Sequence, residues 1–358
     1  MKENISRQRY VFLDGLRGVA ALAIVIHHFT QHSIGHMAVF SSAAIGVELF
    51  FCLSGFVLAY SYHERLIQGM ALTLYAKKRL IRLYPMYFVG LVLGIIALVL
   101  LKIHGLTDFT WEAMTKASLL NLAFLPYLNS YDIQVFIDRI PGAIFPLNGP
   151  AWSLFFGLLA NFFYAATIGV SRKIPFVLVA ASSIGLYFAT SALGEAPGWG
   201  TENFIGGFPR VFFSFFAGVL IFQLKDKFHF VPHIKPAYLI LLVMLLLAVP
   251  RFDGHHAYWF VNAVILMPVL VICTVRCTIE SNSVWHKVCT YFGRLSYPLY
   301  CVHFPLLMAL SIFFSTAEHY ALLMISSVVV SIAVAHVLMT RVEEPVRAWF
   351  GGKIVYAP

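Results

Sequence analysis

The chain has 358 residues, of which 60% are hydrophobic and only 11% are charged, with a formal net charge of +9 and a mean hydropathy of +0.82. A soluble domain carries roughly 25% charged residues, so this chain lacks the charge to cover a water-facing surface, and its solvent is largely lipid. That excludes a secreted, cytosolic or disordered protein, and the basic residues follow membrane topology rather than forming a nucleic-acid face.

A bilayer core about 30 Å thick needs roughly 20 apolar residues per helix. Such stretches lie near 12–32, 39–62, 84–103, 149–170, 174–193, 204–224, 236–250, 257–275, 296–316 and 321–341. They predict an all-α membrane protein, a single domain over 1–358 built as a bundle of about ten transmembrane helices. The stretch at 236–250 is short and is expected to run longer. The stretch at 113–128 is interrupted by Lys116, Asn121 and Pro126, which predicts an interfacial or re-entrant segment. With a cytoplasmic N-terminus, 19 of the 25 basic residues fall in cytoplasmic segments, as the positive-inside rule requires. Both termini are therefore expected in the cytoplasm. Asp14 and Arg17 inside the first apolar run, with no A-x-A site after it, argue against a cleaved signal peptide. Five cysteines form no C-x-x-C, and His286 with Cys289 has no second pair to complete a four-ligand set. Neither disulfides nor a metal site are expected.

Ionisable groups inside spans are costly and mark interior or wet positions. The first span reads DGLRGVAALAIVIHHF. Arg17 and His28 are eleven residues apart, which places them within roughly 20° of one helix face and about 16 Å apart along the axis. His27 lies about 80° off that face. The second span, IGVELFFCLSGFVLAY, buries Glu48 and Ser54, while Gly46 and Gly55 allow close helix approach. Next, AKKRLIRLYPMY puts Arg79 and Arg82 at i,i+3 on one face. Paired guanidinium groups suit phosphate, although a basic loop is also what topology alone would produce. The fourth span opens GPAWSLFFGLLANFFY, with Trp152 and Ser153 at its outer end and Asn161 in mid-membrane. An interfacial aromatic and a helix–helix hydrogen bond are the plain readings. Arg210 in the sixth span either snorkels or lines a cavity. The ninth contains LSYPLYCVHFPLL, with Tyr297 and His303, and the tenth runs into VEEPVR, where Pro345 is expected to end the helix with Glu344 at the rim.

Together these segments resemble the acyltransferase 3 family of integral-membrane acyltransferases. The similarity covers nearly the whole chain in order: the DGLRG opening with ten residues between Arg17 and His28, then GVELFFCLSGF, RLIRLYPMY, GPAWSL, GRLSYPLYCVHFPLL and the final EEP. The resemblance implies transfer of an acyl group, commonly acetyl, from cytoplasmic acyl-CoA to a hydroxyl of a sugar or of an exported or lipid-linked glycan. It further implies a bacterial inner-membrane location, acyl-CoA as substrate rather than a resident cofactor, and polysaccharide-assembly proteins as partners. By the family pattern His28 and Arg17 belong to the catalytic centre, and Arg79 and Arg82 lie near the donor. No appended extracytoplasmic domain is expected. Family members usually carry a glutamate where this chain has Gly157; either another residue such as Asn161 takes over its role, or the protein is a weakened or altered member that acts in polysaccharide export. A transporter, for which paired halves and broken helices are missing, is the less favoured alternative. His28 is expected to act as general base, since an imidazole pKa of about 6.5 lies near working pH. Arg17 would orient the donor or stabilise charge on the thioester oxygen, and an acyl-histidine intermediate is a variant.

Overall fold

The computed structural model describes residues 10–31, 39–136, 138–277, 279–281, 283–312 and 320–353. Each of the ten apolar stretches overlaps a helix: α1 (Val11–Gln31), α2 (Ile45–Ile67), α3 (Leu72–Ile103), α5 (Trp152–Thr167), α6 (Ile174–Leu193), α7 (Gly207–Leu224), α8 (Pro236–Ala248), the α9–α10 run (His255–Val261 and Met267–Val275), α11 (Val284–Ser311) and α12 (Tyr320–Leu338). The short α4 (Trp111–Leu122) occupies the interrupted stretch, and α13 (Glu344–Lys353) closes the described chain. Seven of the described helices are long and apolar enough to cross a membrane: Val11–Gln31, Ile45–Ile67, Leu72–Ile103, Ile174–Leu193, Phe204–Phe230, His255–Val275 and Met324–Phe350. Lipid as solvent also explains the outer surface. Helix α6 exposes Val177, Ile184 and Phe188 at 63%, 61% and 64%, which water would not tolerate over a whole helix face.

Several boundaries differ from the sequence expectation, each for a local reason. Helix α3 starts twelve residues before the apolar run because Lys77, Lys78, Arg79 and Arg82 are good helix formers. Helix α8 is shorter than expected, not longer. Pro236 sits in its first turn and Pro250 follows its end, and a residue before proline is pushed out of the helical region. Pro345 does not end the last helix either. A π-helical turn at Met339–Glu343 absorbs the change of direction, and Pro345 then sits in the first turn of α13, where its missing N–H costs nothing.

The connection after α3 holds α4, capped by Thr110 Oγ accepting from Ala113 N at 3.1 Å. At 12 residues α4 is too short to span. A hairpin of β1 (Asp132–Val135) and β2 (Asp138–Pro141) follows, pairing Asp132 with Pro141 and Val135 with Asp138. No periodicity in the sequence announced it.

Helix α1 packs along α11, α2 along α7, and α11 also meets α3 and α12. Both principal pairs are close enough to need glycine. A Cβ on Gly55 of α2 would fall on the Phe215 carbonyl, and one on Gly218 of α7 would fall on that of Cys52. Gly18 and Gly293 let α1 and α11 meet in the same way, against Phe292 and Asp14. Such small-residue contacts replace the hydrophobic drive that lipid removes.

Candidate active site

Helix α11 is the spine of the polar interior. Gly293, Ser296, Tyr297, Tyr300 and His303 recur at three- and four-residue steps, so they share one stripe, and each takes a partner from another element. Arg17 of α1 donates from Nη2 to the Gly293 carbonyl at 2.5 Å and from Nε to Ser296 Oγ at 2.9 Å. Asp14 lies 3.1 Å from the same guanidinium. Tyr297 donates to the Leu83 carbonyl of α3 at 2.5 Å. Tyr300 hydroxyl meets Ser153 Oγ at 2.6 Å and also bonds the Pro150 carbonyl. Pro305 cannot donate to the carbonyl four residues back, and that Cys301 oxygen instead accepts from Asn148 Nδ2 at 2.8 Å.

Two turns above Ser296, His303 is fully buried and its Nε2 lies 3.0 Å from Nδ1 of His28. The rings are nearly parallel, 8° apart, with centroids separated by 5.2 Å. His303 Nδ1 sits 3.0 Å from both the Leu299 and Tyr300 carbonyls. Arg17 and His28 thus both face α11, as their helical phase predicted. They do not meet, because about three turns of helix separate them. His27 points elsewhere and is 6% exposed, whereas His28 is half-buried.

Around Arg17 a pocket of about 300 Å³ opens between α1, α3, α11 and α13. Four arginines line it: Arg17, Arg82, Arg294 and Arg347. Three are balanced by carboxylates. Asp14 pairs with Arg17, Glu344 with Arg294, and Glu343 with Arg347 at 3.3 Å. Arg82 has no such partner among the described residues, so a positive charge is left over in the pocket. The two arginines of RLIR therefore part company: Arg82 lines the pocket, while Arg79 is 9% exposed with Nε unpartnered and does not line it.

The remaining polar residues are mostly structural. Glu48, unexplained by its own helix, meets Arg210 of α7 at 2.6 Å, both side chains at 1% exposure or less. Ser214 donates to its second oxygen at 2.7 Å. Arg210 also donates to the Ala196 and Pro197 carbonyls at 2.6 and 2.9 Å, and lies 4.6 Å from the Trp152 ring centroid. Trp152 is thus no interfacial belt residue; it is 7% exposed and covers a buried guanidinium. Asn161 donates from Nδ2 to the Gly157 carbonyl and accepts from Tyr75 hydroxyl at 3.4 Å. Ser54 is half-buried on α2 and joins none of these groups. At Gly157 an added Cβ would meet only the Phe51 ring, at 3.7 Å.

At the end of α1 remote from the pocket, three loops converge on His255. Its Nε2 is 2.8 Å from Ser42 Oγ and its Nδ1 is 2.5 Å from Glu195, which also meets Arg251 at 3.3 Å. The order resembles a hydrolytic triad, but Ser42 spends its hydroxyl proton on the Val249 carbonyl at 2.7 Å and is 1% exposed. The cluster ties loops together.

The helical bundle thus holds a basic pocket and an imidazole couple at two levels of one helix pair. The chain belongs to the acyltransferase 3 family, whose sequence model, described as an acyltransferase domain, matches residues 10–339, and it is an acyltransferase. It is 37% identical over 167 residues to "Protein 2 in picA locus" of Rhizobium radiobacter, covering 44% of this chain and 82% of that protein. It is 28% identical to "Acyltransferase MdmB" of Streptomyces mycarofaciens over 46% of this chain and 40% of that one. It is 23% identical to "Putative acetyltransferase ORF330" of Acidianus two-tailed virus, over 80% of each chain. No solved structure matches.

Proposed function

We propose that this protein is an O-acyltransferase of the bacterial inner membrane that moves an acyl group, acetyl in the simplest case, from cytoplasmic acyl-CoA to a hydroxyl of a sugar, an exported polysaccharide or a lipid-linked glycan. Ten spans with both termini cytoplasmic fit the ten helical apolar stretches and the alternation of basic loops. In this topology the arginine pocket opens to the cytoplasm.

One observation carries the reading: the pocket with its unbalanced Arg82 and the His28–His303 couple sit at two levels of one α1–α11 pair. The pocket has the chemistry for the donor's phosphates. The pantetheine arm, long and flexible, bridges from there to the imidazoles. Neutral His28 takes the proton from the acceptor hydroxyl as its oxygen attacks the thioester carbonyl. The carbon–sulfur bond then breaks, and the imidazolium returns the proton to the leaving sulfur, so CoA departs as the thiol and His28 is neutral again. Arg17, three turns away and bonded to α11, fits donor orientation rather than charge stabilisation at that carbonyl. Mass spectrometry of glycans from cells with and without the gene tests the reading. An acyl increment lost with the gene identifies both group and acceptor; identical spectra would refute it.

Arg82→Ala is expected to weaken acetyl-CoA binding by about 10- to 100-fold, the equivalent of a charge-assisted hydrogen bond worth roughly 1.5–3 kcal/mol, and to make residual affinity less salt-sensitive. Arg79→Ala should have the smaller effect. Calorimetric titration of the protein in lipid nanodiscs measures both, and unchanged affinity in Arg82→Ala would return that residue to a topology signal.

A second reading, a catalytically weakened member acting in polysaccharide export, is favoured only by Gly157. Against it, His303 Nε2 at 3.0 Å from His28 Nδ1 supports the active reading, since it offers that imidazole a partner. Gly157→Glu is therefore expected to leave turnover unchanged, with Gly157→Ala as the volume control. A clear gain in initial rate with glutamate alone would revive the weakened-enzyme reading.

A further inference from the structure

We infer that His303 is a positioning residue that holds His28 in the neutral tautomer whose base nitrogen is Nε2, with the proton on Nδ1. The inference rests on the reading of His28 as general base.

The assignment follows from counting protons. His303 Nδ1 faces two carbonyl oxygens, of Leu299 and Tyr300, each at 3.0 Å. Carbonyls only accept, so Nδ1 carries a hydrogen. His303 is 0% exposed and forms no ion pair with a carboxylate among the described residues. A buried charge without such a partner is costly, so the ring is neutral and its Nε2 is an acceptor. The contact between His303 Nε2 and His28 Nδ1, at 3.0 Å, is a hydrogen bond only if His28 supplies the proton from Nδ1. Its lone pair then lies on Nε2, at the opposite edge of a ring that is half-buried rather than sealed.

The chain of bonds runs from two backbone carbonyls of α11 through His303 to His28. A carboxylate plays this part in the familiar catalytic triads, fixing the tautomer and steadying the imidazolium formed on proton abstraction. Here a neutral imidazole does so, anchored to its own helix. That choice suits the interior of a membrane, where a buried carboxylate needs a paired cation, as Glu48 needs Arg210. Close packing of α1 on α11 at Gly18 and Gly293 holds the two rings in register.

The test uses histidine-¹⁵N-labelled full-length protein in lipid nanodiscs. Nitrogen spectra should show His28 protonated at Nδ1 and scalar coupling across the hydrogen bond to an unprotonated His303 Nε2. The coupling should vanish in His303→Ala, with His28→Ala identifying its signals. A His28 ring protonated at Nε2, or no coupling in the native protein, overturns the inference. In parallel, thiol release from acetyl-CoA is followed with octyl glucoside as the probe acceptor. His303→Ala should lower kcat about 100-fold, the low end for a positioned acid–base group, with KM for acetyl-CoA unchanged. His303→Gln, whose amide oxygen can accept from His28 Nδ1, should recover most of the loss. Native kcat in folded His303→Ala overturns the inference, as does equal loss in the Ala and Gln variants. If His28→Ala itself keeps activity, the proposed base is wrong instead, and the nitrogen spectra still decide the hydrogen bond.

Discussion

His28→Ala is expected to abolish measurable acyl transfer, while His27→Ala retains a substantial part of it. A positioned general base contributes about 10²–10⁴-fold, and no other described imidazole meets His303. The two neighbours differ by one residue, or about 100° of helix rotation. His28 faces α11 and bonds His303, whereas His27 is turned into packing at 6% exposure. Initial rates with acetyl-CoA, measured beside thermal stability, separate chemistry from folding. Equal loss in two folded variants would remove the helical-phase argument.

Arg210→Ala is expected to be the most destabilising of the substitutions considered. It leaves Glu48 without its cation, 0% exposed and, among the described residues, with Ser214 as its remaining side-chain partner, and also strips the Ala196 and Pro197 carbonyls of their donor. Breaking a buried pair from one side costs about 3–5 kcal/mol. Replacing both partners with apolar residues of similar volume, Glu48→Leu with Arg210→Met, should cost clearly less, because no lone charge remains. Unfolding of single and double variants in the same detergent measures the difference. A double variant as unstable as Arg210→Ala would mean that the carbonyl and ring contacts of Arg210, not its charge pairing, hold this region.

The apolar stretches were legible because lipid imposes a length and a composition on every crossing segment. Arg17 and His28 were legible as a pair of positions because helical phase is local arithmetic on one segment. Their partners were not. His303 lies 275 residues from His28, and Arg210 lies 162 from Glu48, and no periodicity says which helix faces which. Glu48 looked anomalous only because its cation was on another span. Trp152 looked interfacial because its position near a span end was visible while the guanidinium beneath it was not. Pro345 misled for a different reason. A proline ends a helix unless the preceding turn loosens, and the π-helical turn at Met339–Glu343 does that. The split between Arg79 and Arg82 was equally hidden, since spacing gives a shared face but not the depth of its neighbours.

Helices α1 and α11 touch backbone to backbone at Gly18 and Gly293, so they cannot slide past each other without breaking contact. The arginine pocket and the histidine couple are both mounted on this pair, about 16 Å apart by helical rise. That separation is therefore a fixed length rather than an adjustable one, and for the proposed donor it works as a gauge. A thioester with the right carbonyl but a truncated arm can reach one station or the other, never both. Discrimination among acyl donors then begins with the span of the molecule between its anions and its sulfur, before the identity of the acyl group is tested at all.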